Sequence, residues 1–154
     1  MSETIDMPQI ISDAANDEKQ NVYMPIQDSW KEICTTPEIM SNELESQQNV
    51  LENIALDLKK REVNNILMLG SGDSWFASMA ACYAFEQYAG VSAVSMQAYE
   101  FAVYGSHIAN KNSAIIVISS SGRPTTTWDA LDRAIDSGAY VIGISDTFYD
   151  GNPF

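Results

Sequence analysis

Short apolar runs alternate with amphipathic stretches along most of the chain, and this alternation predicts an α/β fold. Four apolar runs are predicted to be strands, at residues 66–69, 92–96, 114–118 and 140–144. Between them, residues 74–88 and 125–137 have the periodicity of helices, and residues 100–104 predict a short helical turn. Strands that are apolar throughout are buried on both faces, so the pattern favours a parallel sheet between two layers of helices.

The number of predicted strands selects a doubly wound sheet over a barrel. A barrel would need eight strands and roughly 250 residues, whereas the chain has 154 residues. We therefore expect a three-layer, doubly wound parallel sheet of the flavodoxin type. The pattern stops soon after the fourth predicted strand, where a fifth strand and a last helix would normally follow. The chain is therefore expected to be a truncated domain or a fragment, with residues 146–154 starting the next connection.

A long helix is predicted before the first strand. Apolar residues recur at three- and four-residue intervals over residues 39–58. Thr36 is expected to cap this helix, with Pro37 in its first turn. Residues 1–27 are polar with scattered apolar positions and predict a flexible leader, which leaves residues 28–154 as the domain.

Composition excludes several classes of function. The formal charge of −13 argues against non-specific binding to nucleic acid, which needs a basic face. No apolar run is long enough to span a membrane, and the N-terminus has no signal-peptide pattern. Cys34 and Cys82 form no CxxC pair, so two reduced thiols in a cytoplasmic protein are expected. With His107 as the single histidine, a zinc site or a catalytic Ser–His pair is not expected.

The candidate chemistry lies in two loops that follow predicted strands. Residues 70–74 read Gly-Ser-Gly-Asp-Ser, and residues 119–127 read Ser-Ser-Ser-Gly-Arg-Pro-Thr-Thr-Thr. Each loop opens a helix, where backbone N–H groups and hydroxyls together suit an anion. The alternative is that these residues only cap helices and form turns. A dinucleotide site is a further alternative, although Trp75 stands where its third glycine would be and Glu100 lies beyond the usual acidic position.

These loops resemble the sugar isomerase (SIS) family, in particular the isomerase half of glutamine–fructose-6-phosphate aminotransferase and related sugar-phosphate isomerases and deaminases. Four segments carry the resemblance: residues 31–38 (Lys-Glu-Ile-Cys-Thr-Thr-Pro-Glu), 69–74 (Leu-Gly-Ser-Gly-Asp-Ser), 98–101 (Ala-Tyr-Glu-Phe) and 118–122 (Ile-Ser-Ser-Ser-Gly). Their order and spacing agree over roughly residues 30–146.

The resemblance implies a binding site for a sugar phosphate. Ser74, Ser119 and Ser121 would hold the phosphate, with Ser120 beside them on the sugar side. Gly72 and Thr125 complete the predicted phosphate-binding set.

The sequence departs from the family at three positions of these loops. Asp73 stands where the family has Ser or Thr, and we expect it to cap the helix facing away from the phosphate. Pro124 stands where close relatives have a phosphate-binding Thr, so Thr125 or Thr126 is expected to replace it. Arg123 either reaches the phosphate or is a solvated loop charge.

The implied function is that of one half of a tandem enzyme, an aldose–ketose isomerase or an amino-sugar-phosphate deaminase or aminotransferase. Most acid/base residues would then come from the second half, and within this chain Glu100 is the weak catalytic candidate, with His107 behind it. A non-catalytic phosphosugar sensor is the alternative from another class. No metal or other cofactor is expected, and the resemblance implies a homodimer.

Overall fold

The computed structural model describes residues 20–146, 152 and 153, with side chains from residue 28 onward. Its helices are α1 (Gln20–Ser46), α2 (Gln48–Lys60), α3 (Asp73–Ala84), α4 (Ala98–Glu100) and α5 (Thr125–Asp136). Its strands are β1 (Asn65–Gly70), β2 (Ser92–Gln97), β3 (Ser113–Ile118) and β4 (Tyr140–Ile144). Turns of π-helix follow α3 and α4, at Phe85–Ala89 and Phe101–Gly105, and a 3-10 turn follows at Ser106–Ile108.

The chain divides into two compact units, Met1–Glu52 and Asn53–Phe154. Of the predicted leader, residues 1–19 lie outside the described residues, and the backbone of residues 20–27 forms the start of α1. The flexibility of the leader and a domain boundary after residue 27 stay predictions. The predicted next connection falls mostly on residues 147–151 and 154, which also lie outside the described part.

The predicted start of the long helix at Thr36 and Pro37 is wrong, because α1 runs through both residues. Thr36 is not a cap: its hydroxyl donates to the carbonyl of Glu32, one turn back, at 2.8 Å. The Thr35 hydroxyl makes the same kind of bond to the carbonyl of Lys31 at 3.1 Å. Proline has no N–H to donate inside a helix. The two threonine hydroxyls add hydrogen bonds to backbone carbonyls in the turn just before Pro37. Within the described residues, no helix is both long and apolar enough to cross a membrane.

The four strands form one parallel sheet in the order β2-β1-β3-β4. This confirms the predicted doubly wound fold. At the carboxyl edge, Gly70 pairs with Gln97 of β2, and Leu69 pairs with Val117 of β3. The ends of β1 and β3 are therefore neighbours, which brings together the two loops that follow them.

Alternate residues of the central strands enter two different cores, one on each face of the sheet. Leu67 and Leu69 of β1 pack with Phe101 and with Leu131 of α5 on one face. Ile66 and Met68 pack on the other face, in the core that contains Cys82 of α3. Because successive strand side chains point to opposite faces, a strand that is apolar at every position needs helices on both sides, as the sequence predicts.

Candidate functional site

A pocket of about 260 Å³ lies at the carboxyl ends of β1 and β3. Its walls come from the loop after β1, the loop after β3 and the first turns of α3 and α5. The lining residues are Ser71, Asp73, Ser74, Ile118, Ser119, Ser120, Ser121, Pro124 and Thr127. The two loops that the sequence singles out therefore share one cavity, at the edge where open α/β sheets bind ligands.

The first loop is short because Gly70 lets α3 begin directly against the end of β1. A Cβ on Gly70 would lie 2.7 Å from the carbonyl carbon of Ser74 and 2.8 Å from the backbone nitrogen of Trp75. Gly72, with φ of 57°, is the N-cap residue of α3, and no side chain caps this helix. The expectation that Asp73 caps α3 facing away is thus wrong, and Asp73 lines the pocket instead.

The second loop is built around Ser119 and Gly122. Ser119 is 5% exposed, and its Oγ accepts the backbone N–H of Gly122 at 3.1 Å. Gly122 has a φ of 62°, in the left-handed region that suits glycine. Its carbonyl accepts the indole N–H of Trp128 from the first turn of α5. These bonds fix the turn from β3 into α5.

The same loop is also held by the end of β4. The backbone N–H of Ser119 donates to the carbonyl of Ile144 at 3.0 Å, and the N–H of Asp146 donates to the carbonyl of Ser120 at 3.2 Å. The Ser145 hydroxyl donates to that same carbonyl at 3.2 Å. The Ser120 hydroxyl donates to Oδ2 of Asp146 at 2.9 Å. Sequence reasoning missed Asp146, although its place just after the fourth strand puts it at the same carboxyl edge.

Four of the six residues predicted to bind phosphate line the pocket, namely Ser74, Ser119, Ser120 and Ser121. Gly72 and Thr125 lie in the flanking turns, outside the lining. Thr127, which the sequence analysis did not select, is 1% exposed and lines the pocket. It is the third residue of α5, and its position within one helical turn of the loop is the signal that could have found it. The binding roles of all these residues stay predictions.

The candidates for acid/base chemistry and for a cation do not line this pocket. Glu100 is exposed at the end of α4. His107 is exposed, and its Nδ1 lies 3.0 Å from the carbonyl oxygen of Tyr104. Arg123 is exposed, and its backbone N–H donates to Oγ of Ser121 at 3.4 Å. The described lining therefore combines five serine hydroxyls from the two loops, the Thr127 hydroxyl and one carboxylate, with no cationic side chain.

Comparison with known proteins finds relatives over about three quarters of the chain, although no protein-family model matches it. It is 31% identical to glutamine–fructose-6-phosphate aminotransferase (isomerizing) of Chlorobaculum tepidum over 122 residues, which are 74% of this chain and 20% of the enzyme. It is 35% identical to the enzyme of that name from Campylobacter jejuni over 117 residues, again 74% of this chain and 19% of the enzyme. The chain thus spans about a fifth of the length of these relatives.

A solved structure shows the same fold. Tagatose-6-phosphate ketose/aldose isomerase from Escherichia coli superposes with a TM-score of 0.60 at 17% identity, over 68% of this chain and 29% of the isomerase. At this identity the similarity establishes the fold alone. Together with the aminotransferase relatives, it agrees with the resemblance that the loop sequences carry.

Proposed function

The chain carries a sugar isomerase (SIS) domain that resembles the isomerase half of glutamine–fructose-6-phosphate aminotransferase, and from this premise we propose that its pocket binds a phosphorylated sugar. The observation that carries the proposal is the meeting of two hydroxyl-rich loops in one cavity, each at the start of a helix. Phosphate is recognised well by N–H groups and hydroxyls at helix N-termini, where the helix dipole favours an anion.

The phosphate is held by neutral donors in this proposal. Ser74 comes from the first turn of α3, and Ser119 and Ser121 come from the loop before α5. The pocket walls are fixed by backbone bonds within the loops and to the end of β4, so the donors are positioned before the ligand arrives. Gly72 and Thr125, in the flanking turns, would contribute backbone N–H groups.

We infer that the sugar-phosphate site serves an aldose–ketose isomerase or an amino-sugar-phosphate deaminase or aminotransferase. Binding the phosphate, which does not react, would orient the reacting carbons of the sugar and supply binding energy to the transition state. Glu100 is the candidate acid or base within this chain, and the remaining groups would come from elsewhere in the enzyme. A phosphosugar sensor is the alternative: turnover of sugar phosphate by the full-length protein supports the enzyme, and binding without turnover supports the sensor.

Calorimetric titration with fructose 6-phosphate, fructose and NADH tests the proposal. We expect binding of the phosphosugar and no measurable binding of fructose or NADH. The variant Ser119→Ala/Ser121→Ala should weaken fructose 6-phosphate binding at least about tenfold, because two hydrogen bonds to a charged group are removed. The control variant Ser41→Ala/Ser92→Ala changes two exposed serines outside the pocket and should bind normally.

Two results would contradict the proposal. A folded chain that binds NADH but no phosphosugar would support the dinucleotide alternative. Unchanged affinity in Ser119→Ala/Ser121→Ala would remove the assignment of the second loop.

We also propose that the domain forms a homodimer. Apolar side chains of α1 are exposed in a single copy of the chain: Ile33 (62% exposed), Ile39 (55%), Met40 (59%) and Leu44 (66%). Burial of such a surface against a second copy would be favourable. Light scattering should give the mass of two chains, and a Met40→Glu/Leu44→Glu variant should be monomeric. A wild-type monomer at micromolar concentration would contradict the proposal.

A cytoplasmic location is the last part of the proposed function. Both cysteines are free thiols, with Cys34 exposed on α1 and Cys82 buried. Such thiols suit a reducing compartment. Cell fractionation with an antibody to the chain should recover it with the cytoplasmic proteins, and recovery from a secreted fraction would contradict this location.

A further inference from the structure

We propose that Asp146 is a specificity-determining residue that positions Ser120 as a hydrogen-bond acceptor for the ligand. Together with Asp73, this oxygen would form an acceptor side of the pocket, which recognises hydroxyl or ammonium groups next to the phosphate. The inference deepens the proposed function and rests on it.

The bond between Ser120 and Asp146 has a fixed direction. Oγ of Ser120 lies 2.9 Å from Oδ2 of Asp146. A carboxylate has no proton to give, so the serine is the donor. A hydroxyl carries a single proton, and Ser120 therefore presents only lone pairs to the pocket that it lines.

The two neighbouring serines accept hydrogen bonds from the loop, in contrast to Ser120. Oγ of Ser119 accepts the N–H of Gly122 at 3.1 Å, and Oγ of Ser121 accepts the N–H of Arg123 at 3.4 Å. Each oxygen accepts one bond from the loop, and no described hydrogen bond uses either hydroxyl proton, so both protons can be donated to a ligand. Three serines of identical chemistry thus divide into two donors and one acceptor because their partners differ.

Backbone hydrogen bonds to the end of β4 also hold Ser119 and Ser120 in place. The N–H of Asp146 and the hydroxyl of Ser145 both donate to the carbonyl of Ser120, each at 3.2 Å. The N–H of Ser119 donates to the carbonyl of Ile144 at 3.0 Å. With the side-chain bond, four hydrogen bonds join residues 144–146 to the two serines, which fixes the position of Asp146 relative to the Ser120 hydroxyl.

These directions define the class of ligand. The pocket offers donors to an anionic group from Ser119 and Ser121, and acceptors from Ser120 and the Asp73 carboxylate. A phosphorylated polyol or amino sugar matches both sides, since its hydroxyl or ammonium groups donate. Inorganic phosphate satisfies mainly the donor side, and it should bind more weakly than a phosphosugar.

The experiment compares fructose 6-phosphate with inorganic phosphate by calorimetry on four variants. Asp146→Ala and Ser120→Ala should each weaken fructose 6-phosphate binding roughly tenfold while changing phosphate affinity less than about twofold. Asp146→Asn keeps an oxygen that accepts from Ser120, so it should restore most of the preference for the phosphosugar. Asp132→Ala removes an exposed carboxylate of α5 outside the pocket and should leave both affinities unchanged.

Two outcomes would overturn the inference while the proposed function stands. The first is an equal loss of affinity for both ligands in Ser120→Ala, which would make Ser120 a phosphate ligand. The second is an unchanged ratio of fructose 6-phosphate affinity to phosphate affinity in Asp146→Ala.

Thermal unfolding without ligand tests the Ser120–Asp146 bond itself. Ser120→Ala and Asp146→Ala should each lower Tm, by on the order of a few degrees, and the double variant should lower it no further. Additive shifts would overturn the inference whatever the ligand. A wild-type chain that binds neither fructose 6-phosphate nor phosphate would instead overturn the proposed function, and with it the specificity that depends on it.

Discussion

Asp73 places a negative charge in a pocket proposed to hold a phosphate. It is the first residue of α3, where the helix dipole stabilises a carboxylate. The same position faces the cavity that holds the serine hydroxyls. The acid therefore favours the helix and disfavours an anionic ligand, unless the ligand also brings a hydrogen-bond donor.

Replacing this carboxylate should strengthen the binding of a bare anion. Asp73→Ser removes the repulsion and adds a hydroxyl, so inorganic phosphate should bind about two- to fivefold more tightly, the range expected for one solvated charge. Titration calorimetry against the wild type measures this, with Asp132→Ser on α5 as the control for net charge. Weaker phosphate binding in Asp73→Ser would mean that the carboxylate holds the loop in its binding conformation.

At the scale of single residues, the sequence predicts pocket positions better than it predicts their partners. Ser119–Ser121 follow β3 directly and Ser74 lies four residues after β1, so their place at the carboxyl edge follows from the strand pattern alone. Thr127 lies inside α5, nine residues after the end of β3, whereas Asp146 lies only two residues after the end of β4. The bond between Ser120 and Asp146 joins positions 26 residues apart and depends on the pairing of β3 with β4, which no local pattern encodes.

The junction between β1 and α3 requires a residue without a Cβ at position 70. A Cβ at Gly70 would come within 3 Å of the backbone of Ser74 and Trp75, and backbone atoms of a helix cannot move aside cheaply. Gly70→Ala should therefore lower the free energy of unfolding by about 1–3 kcal/mol and weaken phosphosugar binding as the first loop shifts.

Gly90 provides the matched control for that substitution. It has a φ of 64° with open space around it, so Gly90→Ala should cost about 1–2 kcal/mol from backbone strain and leave binding intact. Urea denaturation gives the stabilities, and calorimetry gives the affinities. Normal phosphosugar affinity in Gly70→Ala would show that the close approach of α3 is not needed for the site.

The contact between α2 and β4 should make stability depend on pH in the alkaline range. The Tyr140 hydroxyl donates to Oδ2 of Asp57 at 3.4 Å, and the guanidinium of Arg61 lies 5.0 Å from the ring centroid. Burial and then the Asp57 carboxylate raise the pKa of Tyr140. The folded state thus holds this proton more tightly than the unfolded state, so the contribution is present below about pH 10 and is lost as the pH rises further.

Tyr140→Phe should remove that part of the pH dependence. Between about pH 9 and pH 11, the wild type should lose stability more steeply than Tyr140→Phe, as measured by urea denaturation at each pH. Tyr88→Phe is the control, because Tyr88 is 82% exposed and its hydroxyl lies outside this contact. Equal slopes for wild type and Tyr140→Phe would contradict the assignment.

The sequence predicts the strands of the sheet well because each strand is a short apolar run that can be recognised by itself. The predicted fourth strand coincides with β4, and the predicted third strand begins one residue after β3 does. The sequence predicts the wrong start for α1 because a Thr-Pro pair is also typical of a helix start. Only the structure shows the Thr36 hydroxyl bonding back to Glu32 within a helix that has already begun.

The charge of the whole chain opposes an anionic ligand. The net formal charge is −13, and the described lining of the pocket contains no cation to offset it. Added salt should therefore tighten fructose 6-phosphate binding by roughly twofold or more when the Debye length falls from about 30 Å at 0.01 M to about 8 Å at 0.15 M.

A variant with fewer acidic groups tests this effect. Asp129→Asn/Asp132→Asn/Asp136→Asn removes three exposed charges of α5, and its affinity should depend less on salt. Calorimetry across a KCl series measures both proteins. Weaker wild-type binding with added salt would mean that a cation outside the described lining dominates recognition.

The adjacency of β1 and β3 links ligand binding to the folding of the sheet. The two loops become neighbours only when these strands, which are separated by 42 residues of the chain, are paired. A ligand that bridges the loops binds the paired state alone, so its binding free energy adds to the free energy of unfolding by mass action. Amide hydrogens of the central strands should then exchange with solvent more slowly as ligand is added, and those of α1, which contributes no residue to the described pocket lining, should not. The ligand concentration would in this way determine how rarely the central strands open to solvent.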